Sequence, residues 1–222
     1  MTHRLILVEG LPGAGKTTTA LWLAKELRQR GNQVDLVLEN DHPSPLPLPG
    51  GAPDLRGIIR TFARGNPLLP AWRRFVSDRD PQAIAIVEAR FWQDNLMFMR
   101  LGNRTCANLA AAQAEVCAVI LPLSPLLIWF QHSWDALRES NARKIASDPA
   151  WAAIAMAAFT DQPWFHARPG PPDMSAFYDD WSLQAAALAQ LLPFPIQPLD
   201  HAHGDWEATY GTLGRLFWRD GK

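Results

Sequence analysis

The sequence has few of the residues that mark whole classes of protein. It has two cysteines. Cys106 and Cys117 do not have the spacing of metal ligands, and we expect buried free thiols in a reducing compartment. Charged residues make up 19% of the chain and the formal net charge is −1, which gives no overall attraction to nucleic acid or to an anionic membrane. The closest approach to a membrane-spanning run, Ala114–Phe130, is interrupted by Glu115 and two prolines.

No signal peptide is expected, because the first predicted strand begins almost at Met1. Together these absences predict a cytoplasmic protein with no nucleic-acid and no membrane partner. What the chain does have is apolar content of 48% over 222 residues, enough for one sizeable α/β domain over 1–222. Proline-rich segments near 43–55 and 162–173 predict surface insertions within that domain.

One motif dominates the sequence. The apolar run Leu5–Val8 is followed by Gly10–Thr17, which fits G-x-x-x-x-G-K-[ST], and a helical pattern begins at once. Strand, glycine loop and helix in this order predict a phosphate-binding loop. The expected nucleotide contacts are the consecutive residues Gly10, Leu11, Pro12, Gly13, Ala14, Gly15, Lys16, Thr17 and Thr18. Lys16 is expected to reach the β- and γ-phosphates, and Thr17 is expected to ligate Mg²⁺.

Short apolar strands alternate with helical stretches along the rest of the chain, including a long helix predicted over about Asn95 to Ala118. The predicted strands are Leu5–Val8, Gln33–Leu38, Ala83–Val87, Leu126–Phe130 and Phe194–Leu199. This order predicts a parallel sheet covered on both faces, with active residues at the carboxyl ends of its strands. That edge is expected to bring together Glu9–Gly10, Glu39–His42, Glu88–Trp92, Gln131–His132 and Asp200–His203.

The segment Val8–Thr18, with an acid before the loop, resembles the thymidylate kinase and deoxynucleoside kinase branch of the P-loop kinases. The resemblance implies a three-layer P-loop NTPase fold with a five-stranded parallel sheet, and ATP and Mg²⁺ as cofactors. Glu88-Ala89-Arg90 stands where deoxynucleoside kinases have a Glu-Arg pair that serves the substrate hydroxyl, with one residue inserted. Asp135–Arg138 and Arg143 look similar to the lid helix of that family, whose arginines close over the phosphates.

Two motifs of other nucleotide-binding proteins are missing. The fourth strand ends in Phe130-Gln131-His132 and not in the Asp of a typical Walker B motif, and no Asn-Lys-x-Asp sequence occurs. These absences argue against a motor ATPase and a signalling GTPase. The Asp-Arg pair of thymidylate kinases is also missing, so the resemblance does not identify the acceptor.

Several strand-end residues have two interpretations. Glu88 is expected to act as general base or in the metal shell, the alternative being a solvated strand-end acid. Glu39 and Asp41 either bind substrate or form a capped turn. Arg90 either clamps the substrate or pairs with a neighbouring carboxylate, and Trp92 is expected to form a wall of the acceptor site.

Arg138 and Arg143 are expected to act catalytically from the lid, because phosphoryl transfer needs positive charge on the transferring group. The alternative is a pair of surface charges, since Arg143 follows Glu139 at i+4. The predicted function is therefore an ATP-dependent kinase acting on a hydroxyl or phosphate group of a small molecule, nucleoside-like, nucleotide-like or antibiotic-like. The alternative is a nucleotide-binding regulatory ATPase without a free acceptor. The expected partner is the small-molecule acceptor, with a homodimer left open.

Overall fold

The computed structural model describes residues 3–49, 55–199 and 205–218. Within them the chain forms an α/β fold around a five-stranded, all-parallel sheet. The strands are β1 (Leu5–Gly10), β2 (Val34–Val37), β3 (Ile84–Glu88), β4 (Pro125–Phe130) and β5 (Ile196–Leu199). Their order across the sheet is β2-β3-β1-β4-β5, so the expectation of a five-stranded parallel sheet is confirmed.

Helices connect the strands. They are α1 (Lys16–Gln29), α2 (Leu55–Phe62), α3 (Leu69–Asp78), α4 (Phe98–Leu101), α5 (Cys106–Ile120), α6 (Arg138–Ser147), α7 (Pro149–Thr160), α8 (Pro163–His166), α9 (Met174–Ala189) and α10 (Trp206–Phe217). A π-helical segment, Trp92–Met97, precedes α4, and short 3₁₀ turns cover Leu121–Leu123 and Asp135–Leu137. The three central strands β1, β3 and β4 are mostly apolar because their side chains are buried on both faces of the sheet.

β1 lies at the centre of the sheet, between β3 and β4. Its register aligns Val8 with Glu88 on one side and Gly10 with Phe130 on the other. The carboxyl ends of these three strands therefore lie together at one edge. α1 packs against β1, β2 and β3, which places its first turn at the same edge.

Three expectations about local structure are wrong. A single helix from about Asn95 to Ala118 does not form, because the chain turns helical directly after β3, breaks at Asn103 (φ 60°) and starts again at α5. The segment 162–173 is not wholly a loop, since Pro163 occupies the first turn of α8, where its missing N–H costs nothing. Cys106 is exposed at the start of α5, and only Cys117 is buried.

Among the described residues, one helix, Cys106–Leu123, is long and apolar enough to cross a membrane by length and composition alone. Its buried residues, including Leu109, Val116 and Ile120, belong to the hydrophobic core of the protein. The stretch Ala114–Phe130, noted in the sequence for its apolar character, is not one element, because it contains the end of α5, a turn and β4.

Candidate functional site

The loop between β1 and α1 has the backbone of an anion-binding turn. Gly13 and Gly15 have positive φ angles of 84° and 93°, which only glycine adopts without strain. The N–H of Ala14 donates to the carbonyl of Leu11 at 3.1 Å. The first turn of α1 contains no acidic residue, so the helix itself places no anion at its positive end, which faces this loop.

Lys16 is buried, with 4% of its surface exposed. Its Nζ donates to the carbonyl oxygen of Leu11 at 3.2 Å, which folds the side chain back over the loop. The ammonium group therefore lies within the space that the loop encloses. A burial of this kind is costly for a cation unless an anion comes close to it.

Thr17 and Glu88 form the closest contact between the loop and another strand. The Thr17 hydroxyl donates to Glu88 Oε1 at 2.5 Å, and the backbone N–H of Glu39 donates to Oε2 at 3.2 Å. Glu88 is 1% exposed, so the alternative of a solvated strand-end acid is excluded. Both oxygens of this carboxylate are held by named donors.

Glu9, the last side chain of β1 before the loop, is completely buried. Its carboxylate accepts hydrogen bonds from the backbone N–H groups of Phe91, Trp92 and Gln93 at 2.8 to 3.1 Å. Burial raises the pKa of Glu9 to about 7, while the three N–H groups and the charge of Lys16 act in the opposite direction. This acid fixes the start of the segment that follows β3.

Arg90 lies inside the protein and not on a substrate-facing surface. Its guanidinium forms an ion pair with Asp94, and both side chains are at least 96% buried. A second nitrogen of Arg90 donates to the carbonyl oxygen of Glu39 at 2.6 Å. Burial, with Glu39 nearby, raises the pKa of Asp94, against the effect of Arg90. The structure therefore supports the second interpretation of Arg90, an ion pair with a neighbouring carboxylate.

The two acids after β2 differ in their surroundings. Asp41 Oδ2 accepts a hydrogen bond from the backbone N–H of Leu38 at 2.7 Å. Asp41 therefore forms the capped turn, which is the alternative to substrate binding. Glu39 is half-buried, and its carboxylate makes no hydrogen bond to any residue in the described part of the chain. Burial, with the charge of Glu39 nearby, raises the pKa of Tyr178 on α9.

The indole of Trp92 is fixed by Gln113, whose Oε1 accepts from Nε1 at 2.9 Å. Trp92 packs edge-on against Trp129 of β4, with ring centroids 5.3 Å apart. Both rings line a cavity of about 300 Å³ that begins at Glu9 and Gly10. Trp92 is therefore a wall of a cavity beside the glycine loop, and its place in an acceptor site stays a prediction.

Helix α6 lies directly on the loop through its polar side chains. Ser140 Oγ donates to the carbonyl of Gly13 at 3.0 Å, and Asn141 Nδ2 donates to the carbonyl of Pro12 at 3.1 Å. A Cβ on Gly13 would lie 2.9 Å from Asn141 Oδ1, so the small residue allows this close approach.

The two arginines of the expected lid are exposed to solvent. Their side chains are each 75% exposed, Arg138 pairing with Asp135 at 2.5 Å and Arg143 lying 3.9 Å from Glu139. The exposure and the ion pairs of both arginines agree with the alternative prediction, that they are surface charges. The sequence drew attention to the charged residues of α6, whereas its uncharged residues make the contacts with the loop.

The C-terminal helix covers the other end of the loop. A Cβ on Gly15 would overlap the indole ring of Trp206. Trp206 stacks on Tyr210, which stacks on Trp22 of α1 at 4.3 Å between ring centroids. Trp22 in turn stacks on Trp218, over which the Arg30 guanidinium lies at 4.3 Å. We call these five residues the aromatic stack.

The structure thus brings together the loop 10–18, Glu88, Glu39 and Trp92, and leaves Arg138 and Arg143 at the surface. The acids and histidines of 200–203, expected at the same edge, lie outside the described residues. Asn141 and Trp206 had no motif that could have singled them out. The described residues contain no cluster of three or more His, Cys, Asp or Glu side chains that could hold a metal ion. No protein-family model matches the chain.

Proposed function

We propose that the protein is a P-loop kinase of three-layer architecture that transfers the γ-phosphoryl group of ATP, with Mg²⁺, to a small molecule. The observation that carries the proposal is the contact between the Thr17 hydroxyl and the Glu88 carboxylate beside the glycine loop. A structural glycine turn would need neither a buried lysine nor an acid from the neighbouring strand. A nucleotide–metal site needs both.

In this proposal the loop 10–18 binds the phosphates. Its backbone N–H groups and the start of α1 supply partial positive charge. Lys16 adds a full charge from a buried position, and it exchanges its bond to the Leu11 carbonyl for a phosphate oxygen. The desolvation of Lys16 is then offset by the bound anion.

The residues present fit Mg²⁺. Thr17 and Glu88 offer two hard oxygen donors 2.5 Å apart, and Mg²⁺ in kinases takes one or two protein oxygens, with phosphates and water supplying the others. When bound, the ion neutralises charge that develops on the transferring group. Glu88 already accepts two hydrogen bonds, which favours the metal-shell role over that of general base.

The reaction needs a carboxylate for the acceptor's proton. The acceptor oxygen forms a bond to the γ-phosphorus, the bond between that phosphorus and ADP breaks, and the proton passes to an acid at the sheet edge. Glu39, whose carboxylate makes no hydrogen bond within the described residues, is free for this role, whereas the carboxylate of Glu9 is fully buried and held by three backbone N–H groups. In this proposal Arg90 and Asp94 position Glu39 through its backbone carbonyl, and Trp92 shapes the cavity.

The same site also suits a nucleotide-binding regulatory ATPase, and a turnover experiment separates the two. Lys16→Ala should reduce ADP affinity by at least about tenfold and abolish phosphoryl transfer, because Lys16 contacts the β- and γ-phosphates. Lys25→Ala is the matched control, since Lys25 lies exposed on the same helix. Binding is measured by calorimetry, and transfer with radiolabelled ATP against a metabolite and antibiotic panel.

A kinase gives one labelled product in the parent and none in Lys16→Ala. Tight ADP binding in the parent without any labelled product would favour the regulatory ATPase. Equal ADP binding by Lys16→Ala and the parent would refute the phosphate-loop assignment itself.

A further inference from the structure

The cavity of about 300 Å³ opens directly beside the glycine loop. Three elements line it: the end of β1 with Glu9–Leu11, the end of β4 with residues 129–133, and α9 with residues 181–186; Trp92 and Gln93 complete the wall. Its volume lies at the lower end of the range for sites that hold a small organic ligand.

The walls of the cavity are mainly aromatic. Trp92, Trp129 and Trp181 come from three different elements, and Phe130 adds a fourth ring. Trp92 and Trp129 stand at 85° to each other, and the bond to Gln113 holds the first of them in place. Rigid rings at right angles form a slot whose natural occupant is a flat ring, packed face-on against one wall and edge-on against the other.

One polar group in this wall lacks a partner. Gln93 is 5% exposed and lines the cavity, and its Oε1 has no hydrogen-bond partner among the described residues. A buried amide oxygen without a hydrogen-bond partner lowers the free energy of unfolding. The oxygen itself is closed to solvent, so the amide must turn toward the cavity before a ligand N–H or O–H can bond to it. A ligand with a donor beside an acceptor would then pair with the whole amide.

The charge of the cavity wall excludes acceptors that already carry a phosphate group. Among the described residues that line it there is no lysine or arginine. The titratable groups are Glu9, which is already bonded to three backbone N–H groups, and His132. A phosphate monoester placed here would lose its hydration next to a carboxylate, without a cation in the wall to compensate.

We propose that this cavity is the acceptor site, and that the acceptor is an uncharged, flat aromatic or heteroaromatic alcohol whose ring edge pairs with the Gln93 amide. The proposal rests on the proposed kinase function and narrows it, because it excludes acceptors that already carry a phosphate.

The test compares matched probes on the full chain without nucleotide, using ligand-observed NMR and calorimetry. The probes are 2-naphthylmethanol, its phosphate monoester, and 6-(hydroxymethyl)quinolin-2(1H)-one, which adds a lactam edge to the same frame. The alcohol should bind saturably and at least about tenfold more tightly than the ester. The lactam should gain a few-fold to about tenfold over the naphthyl alcohol.

Variants locate the binding. Ala186→Leu fills the cavity from an exposed position on α9 and should weaken both alcohols by about tenfold. Ala187→Leu is the matched control, because Ala187 is also exposed on α9 but does not line the cavity. Gln93→Leu should remove the gain of the lactam over 2-naphthylmethanol.

Two results would overturn the proposal: an ester that binds as tightly as the alcohol, or Ala186→Leu binding both alcohols like the parent. ADP binding, measured in the same preparation, separates this failure from that of the kinase. If ADP binds and the alcohols do not, the cavity is not the acceptor site and the kinase proposal stands. If the alcohols bind and ADP does not, the cavity binds flat aromatic alcohols as proposed, but its role as the acceptor site of a kinase is refuted.

Discussion

Replacing Glu88 by glutamine removes one negative charge beside Thr17 and keeps the shape of the side chain. The amide oxygen can accept the Glu39 N–H, and the amide nitrogen can donate to the Thr17 hydroxyl, which turns round to accept. Both contacts of Glu88 thus survive in altered form. We expect the melting temperature to change by no more than about 5 °C, since each bond is worth about 1 kcal/mol.

The effect on metal affinity should be much larger. A Mg²⁺ ion bound to Thr17 at about 2.1 Å cannot lie farther than about 4.6 Å from Glu88 Oε1, because the two oxygens are 2.5 Å apart. At that distance a carboxylate and a divalent cation attract by about 2 kcal/mol even at the dielectric constant of water. Loss of this attraction corresponds to a factor of about 30 in affinity.

The assay is ADP binding by calorimetry across a Mg²⁺ series and in EDTA. Glu88→Gln should need about 30-fold more Mg²⁺ for the same enhancement of ADP binding, while its affinity in EDTA should be equal or higher. Glu115→Gln, on the exposed face of α5, controls for the change of charge. An unchanged Mg²⁺ dependence would refute the metal-shell role, and if phosphoryl transfer were still lost, Glu88 would be the general base.

Three other predictions concern the surroundings of the loop. Asn141→Ala should increase amide exchange in α6, because its bond to Pro12 is lost, whereas Arg143→Ala should leave both exchange and the rate of transfer unchanged, because its side chain is 75% exposed beside Glu139; a lower rate at saturating ATP would restore the lid role of Arg143. The pKa of Glu9 is raised from 4.5 to about 7, so its stabilising contribution is complete below pH 4.5 and is lost as the pH rises through 7. Urea unfolding of the parent from about pH 4 to about pH 8 should therefore lose on the order of 3 kcal/mol more than that of Glu9→Gln, and parallel pH profiles would contradict this. Gln93→Leu should raise the melting temperature of the ligand-free protein, because an unpaired buried amide oxygen is removed; a lower melting temperature would show that the amide is satisfied.

Much of the framework could be predicted because its signals are local. The glycine motif and the strand pattern placed Gly10–Thr18 and Glu88 at one edge of a parallel sheet, and the structure has them there. The i,i+4 spacing of Arg90 and Asp94 is also visible in the sequence. It was missed because the helix was expected to start at Asn95, after both residues. The carboxylate of Glu9 accepts hydrogen bonds from the backbone N–H groups of residues 91–93. The helical segment therefore begins earlier, at Trp92.

The contacts over the loop could not be predicted in the same way. Ser140 and Asn141 reach a loop more than 120 residues away in the chain, and neither residue belongs to a motif. The charged side chains of α6 attracted attention because phosphoryl transfer needs cations, yet solvent surrounds them. Which face of α6 meets the loop depends on how α7 and α9 pack, and no local pattern specifies that.

The aromatic stack has a spectroscopic consequence. Tyr210 lies close enough to Trp22 and Trp206 to pass its excitation energy to these tryptophans, and Trp206 is the ring against Gly15. A polyphosphate that arrived at the glycine loop would change the local electric field at Trp206 and with it the emission of this ring. The intrinsic fluorescence of the protein should therefore report occupancy of the loop directly, without a label.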